Sequence, residues 1–190
     1  MKLSRTVAPT VEPVTLQDCK DWLRVDSADD DPLLTALVTM ARESHEDYVR
    51  RAYITQTWAL TLDRFPSTIQ LWRCPVLAIS SVTYVDPDGA TQTLAGAKYQ
   101  LDNSSEPARL VPAYNETWPT TRRVPNAVTV TFTAGYGAAA TDVPDIYKTA
   151  IKREVADHYE HREAIMASAV STTPHTAHLL LLPHRLIEVA

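Results

Sequence analysis

The spacing of apolar residues changes twice along the chain, helical at both ends and alternating in the middle. Near the front, Leu16, Cys19 and Leu23 recur at three- and four-residue steps, which predicts a short helix from Thr15 to about Arg24. Asp18, three residues after Thr15, makes a weak capping box with it. A second stripe, Leu34, Leu37, Val38, Ala41 and Tyr48, predicts a helix from Pro32 to about Arg51, with Asp31 as its cap and Pro32 in its first turn. Arg42 with Glu46, and Glu46 with Arg50, stand four apart. They are read as outward-facing pairs worth about 0.2–0.5 kcal/mol each. A third helix is predicted from about Val143 to Glu163. Ile146, Tyr147, Ala150, Ile151, Val155 and Tyr159 face inward, and Lys148, Lys152, Arg153, Asp157, Glu160 and Glu163 face outward. Two helices so close in sequence predict a hairpin that cannot cover its own apolar stripes, so the late helix is its natural third member.

From Tyr53 the period falls to two. Trp58, Leu60 and Leu62 alternate with threonine, alanine and aspartate, and residues 69–72 form a further short candidate. Residues 76–86 predict a long strand. Asp86-Pro87-Asp88-Gly89 has the composition of a type I turn, with Thr91 to Leu94 pairing back. Short strands follow at 99–101 and 109–111. Val128, Val130 and Phe132 then alternate with Thr129, Thr131 and Thr133 in a strand that opens at Asn126, and Ala134 to Gly137 ends it. The predicted class is α+β: a helical bundle from the N- and C-terminal parts with an inserted antiparallel β domain. Its divisions are an extended arm at 1–14, a helical domain at 15–52 plus 138–190 with a C-terminal tail, and a β domain at 53–137.

The two ends carry open readings. Residues 1–14 show no periodicity and serve either as a disordered terminus or as an arm lying on a neighbouring subunit. Residues 164–173, rich in alanine, serine and threonine, read as a loop. One or two helical turns at 175–182 carry four consecutive leucines, 179–182, and an extended tail follows from Pro183. Those leucines either dock on the parent core or anchor another chain.

Composition narrows the function. The chain has 190 residues, a net charge of −5 and 45 % hydrophobic residues, enough for a substantial core. A mildly acidic balance argues against a DNA-coating protein, which needs clustered Lys and Arg. Cys19 and Cys74 are too few for a disulfide scaffold and fit a reducing compartment. Thirteen prolines against four glycines predict stiff connections. No signal peptide or membrane span is expected.

Candidate chemistry is sparse. The acidic run 26–31 fails the EF-hand pattern and reads as a helix start. His158 and His161 lie three apart, with Glu154 four before His158 and Glu163 just beyond. The zincin motif needs two histidines four apart, no third ligand is identifiable, and the run reads as a polar helix face. No phosphate loop or nucleophile elbow occurs, and Ser80 and Ser81 read as sheet surface. No cofactor or metal ligand is assigned.

Three segments carry a family resemblance: Trp58 to Pro66, Pro75 to Gly89, and Asn126 to Gly137, joined by Val143-Pro144 and the stretch His158 to Glu163. Together they resemble the head–tail connector (adaptor) proteins of tailed bacteriophages. The likeness is to the longer members with a β insertion, found also in prophages and gene transfer agents. It spans about Val14 to Arg185 and departs from the family pattern at Trp72-Arg73-Cys74, where prolines are expected. The resemblance implies a structural, non-enzymatic protein forming a ring, commonly of twelve copies, beneath the portal protein. Such a ring extends the DNA channel and receives a stopper or other tail-side connector. Double-stranded DNA passes through without sequence-specific binding, and no membrane is involved. It implies location at the head–tail junction of the virion, with the host cytoplasm before assembly. With the tail read as exposed, it assigns Leu179, Leu180, Leu181, Leu182, Arg185 and Leu186 to partner docking. Two other readings stay open: a metal-dependent hydrolase using the 154–163 His/Glu cluster, and a tail-side stopper or completion protein.

Overall fold

The computed structural model describes residues 1–160 and 176–187. The chain divides into two compact units, Met1–Pro9 with Thr55–Tyr136, and Thr10–Ile54 with Gly137–Ala190.

The first unit is antiparallel β. Its larger sheet contains β1 (Lys2–Val7), β2 (Gln56–Leu62), β4 (Val76–Val85), β5 (Thr91–Thr93) and β8 (Val128–Ala134). The order is β1-β2-β8-β4-β5. β8 pairs with β2 on one side and β4 on the other. Its expected alternation is complete: Val128, Val130, Phe132 and Ala134 are buried and the threonines between them half-buried. Trp58, Leu60 and Leu62 on β2 face the same way. The second sheet, β3 (Ile69–Leu71), β7 (Ala108–Pro112) and β6 (Tyr99–Asp102), runs in that order and buries Ile69, Leu71 and Leu110. At the β4–β5 turn, Gly89 N–H donates to Asp86 O over 3.0 Å, and Gly89 sits at φ +95°, where a side chain is disfavoured.

Residues 2–7, expected within an arm, form an edge strand on β2. The backbone groups along that edge of β2 require partners, a demand that the periodicity of 1–14 does not reveal. In the departure segment, Arg73 lies over the Trp58 ring at 4.4 Å, a cation–π contact that gives the arginine a packing role.

The second unit is helical. α1 (Leu16–Leu23) opens with the predicted capping box: Asp18 N–H donates to Thr15 Oγ1 over 3.1 Å, and Thr15 N–H to Asp18 Oδ2 over 3.0 Å. Thr15→Ala is expected to cost about 1 kcal/mol, read as a lowered urea midpoint at unchanged slope. Cys19 is the buried residue of this helix, and burial pushes its thiol up to about 11, as expected of a core residue.

α2 spans Asp31–Val49 and α3 Asp145–Glu160. α3 packs on α1, α2 and α4 (Thr176–Leu181), so the early and late helices of the chain do meet. Asp31 is not the cap expected of it. The capping position is Asp30, which makes no side-chain cap bond. Asp30 instead accepts from Tyr159 Oη over 2.6 Å, and Asp31 from Lys20 Nζ over 2.7 Å. These two aspartates of the acidic loop are thus committed to side chains elsewhere in the unit.

Arg42 and Glu46 overturn another expectation, because both are buried. Residues 10–14 cross this face of α2: Glu12 accepts from Arg42 Nε over 2.7 Å and from Thr39 Oγ1 over 3.0 Å, and Val14 is buried. Arg42 Nη1 reaches Glu46 over 3.0 Å, and Glu46 also accepts the Tyr53 N–H over 2.7 Å. Four-residue spacing identified the pair, while the covering segment lies 30 residues away in sequence.

Candidate functional site

The C-terminal leucines are the residues through which docking on a partner is expected, and the structure divides them. α4 and the turn after it present Leu179 and Leu182 at 58 % and 53 % exposure, while Leu181 and Leu186 are buried. Leu180 is half-buried and Arg185 exposed. The buried pair fastens the segment to its own unit. Leu186 N–H donates to Val49 O over 3.2 Å, and Arg51 Nε donates to His184 O over 2.9 Å. The Arg185 guanidinium lies 5.0 Å from the Tyr48 ring centre. Leu179, Leu182 and the still more exposed Ile187 therefore form outward apolar positions on an anchored support. Docking on the parent core thus holds for Leu181, while Leu179 and Leu182 are left facing outward.

Other outward apolar side chains occur on the helical unit. Leu33 and Met40 on α2 are exposed and seven residues apart, hence on one stripe. Trp22 on α1 is half-exposed beneath Lys152 Nζ at 5.1 Å. An open groove of about 470 Å³ lined by Val11, Val14, Leu16, Val38 and Ala138–Ala140 is apolar, with Glu12 at its rim. It brings together no acid, base and nucleophile of the kind acyl or phosphoryl chemistry requires.

The histidine cluster is arranged differently from its sequence pattern. His158 is 42 % exposed, its Nε2 3.4 Å from Glu154 Oε1. His161 and Glu163 lie outside the described residues. The residues that converge on Glu154 from elsewhere are His45 of α2 and His178 of α4. His45 occupies the buried stripe Leu34, Val38, Ala41, His45, Val49. A lone histidine at a core position of a helix was the available signal, but its partners lie 109 and 133 residues on, beyond any local pattern.

Residues 13–106 match the family model described as Phage gp6-like head-tail connector protein. Solved structures share the fold over the whole chain. One titled as the neck of an empty gene transfer agent particle computed with C6 symmetry has a TM-score of 0.81 at 23 % identity. It covers 100 % of this chain and 98 % of its own. A second, the virion of a native gene transfer agent particle, gives 0.80 at 22 % with the same coverage. The neck of the native particle computed with C12 symmetry gives 0.76 at 22 %, again with the same coverage. No curated protein matches. The family match over residues 13–106 agrees with the resemblance carried by the sequence and supports a structural adaptor of the head–tail junction.

Proposed function

We propose that this chain assembles as a ring, with twelve copies the expected number, beneath the portal protein. It extends the DNA channel there and receives the tail-side connector. The observation that carries the docking reading is the divided leucine run: Leu181 and Leu186 anchor the segment while Leu179 and Leu182 face outward. An apolar pair held on a fixed support suits insertion into a partner's groove, because little ordering entropy is left to lose on binding. The exposed Leu33 and Met40 stripe and Trp22 suit contacts between copies, which must be head-to-tail for a ring to close. The C6 and C12 symmetry of the similar neck structures supports the same reading. A net charge of −5 suits a conduit along which DNA slides without being held. Before assembly the chain resides in the host cytoplasm.

Removing residues 179–190 would also strip Leu181 and Leu186 from the core, so substitution at the exposed positions is the cleaner test. Leu179→Asp with Leu182→Asp should leave the thermal midpoint within a few degrees, since surface changes shift stability by about 0.5 kcal/mol or less. Filled heads should accumulate without tails in electron micrographs. Normal yields of tailed particles from the double variant would refute the docking assignment.

A further inference from the structure

One side-chain cluster has no part in the docking reading. His45, Glu154 and His178, from α2, α3 and α4, each bring a ligand atom within 4.8 Å of the others. His45 is fully buried and Glu154 is 6 % exposed. Neither ring nitrogen of His45 has a hydrogen-bond partner. Its Nε2 stands 3.5 Å from Glu154 Oε2, beyond the usual range for a good hydrogen bond. Polar atoms buried in this condition are rare and costly.

We propose that His45, Glu154 and His178 bind a divalent transition-metal ion of the zinc class, which clamps α4 to α2 and α3. Two imidazoles and a carboxylate are a donor set that zinc takes readily. At tetrahedral metal–ligand lengths of about 2.0–2.1 Å, neighbouring donor atoms stand roughly 3.3 Å apart. The His45–Glu154 pair is already near that spacing at 3.5 Å, so closure falls mainly to His178, by roughly 1.5 Å at most. The surroundings orient the ligands. His158 approaches Oε1 of Glu154, leaving Oε2 turned to His45. The Tyr48 ring stacks on His178 with centroids 4.6 Å apart. His158, half-exposed, is a positioning residue, and water completes the coordination. His45 lies within the segment 13–106 that matches the family model, and Glu154 and His178 lie beyond it. The proposal does not depend on the docking reading.

The full-length chain, stripped with a chelator and dialysed, is titrated with Zn²⁺ alone and followed by calorimetry and thermal unfolding. One ion bound per chain and a raised thermal midpoint are expected. His178→Ala, a change at a half-buried position, should abolish stoichiometric binding while far-UV circular dichroism stays unchanged. His158→Ala should keep the stoichiometry and weaken affinity about 10–100-fold. In the unmodified protein, imidazole ¹⁵N resonances of His45 and His178 should shift on Zn²⁺ addition, which tests the ligand set even if a variant misfolds. Absence of Zn²⁺ binding by the unmodified chain would overturn the site. So would undiminished binding by a folded His178→Ala chain, or unmoved His45 and His178 resonances.

Discussion

Arg42→Ala is expected to destabilise the helical unit by about 3–5 kcal/mol, the range for removing one partner of a buried ion pair. Arg42 is 3 % exposed and hydrogen-bonds Glu12 from the segment leading into α1 and Glu46 one turn further along α2, with the more exposed Glu43 3.6 Å away. Its removal leaves Glu46, 2 % exposed, charged and without its guanidinium. Exposed four-apart pairs are worth about a tenth of that, so the size of the effect distinguishes the buried network from a surface pair. Denaturant unfolding followed at the helical signal measures it. A loss below about 1 kcal/mol would show the network to be solvated. Arg42→Lys should recover only part of the stability, because an ammonium cannot span Glu12 and Glu46 as the planar fork does.

Phe132→Ala should cost the β unit about 3–5 kcal/mol, the usual penalty for an aromatic truncated in a core. Phe132 is completely buried on the central strand of the larger sheet, paired with Trp58 on one side and Ile79 on the other. The surrounding strands are fixed by their hydrogen bonds, so the cavity can collapse only in part. Phe132→Leu, which keeps most of the volume, should cost well under half as much. Equal losses in the two variants would mean that the site is loosely packed.

The difference between these two residues also shows how far the sequence could be read. Phe132 announces its burial through strict alternation with threonines, a period that belongs to one face of a sheet. Thr15 with Asp18 and the turn at Asp86 to Gly89 were legible for the same reason: their chemistry closes within four residues. Arg42 and Glu46 looked like an exposed pair because the segment that covers them, around Glu12, shows no periodicity of its own. Strand β1 escaped notice likewise, since an edge strand is specified by the partner's open hydrogen bonds more than by its own side chains. For the leucine run, the spacing alone could not decide between inward and outward. The structure assigns Leu181 and Leu186 inward, and Leu179 and Leu182 outward. The His45–Glu154–His178 cluster lay furthest from sight. Three helices must pack before its members meet, and no local spacing joins His45, Glu154 and His178.

The central claim is that this chain is a ring-forming adaptor at the head–tail junction. Its most direct test is an image of intact particles averaged about the portal axis, at a resolution that follows the backbone. The expected result is a closed ring of this fold directly beneath the portal, with the segment carrying Leu179 and Leu182 in contact with another chain. Particles that join heads to tails while lacking this chain from the neck would contradict it.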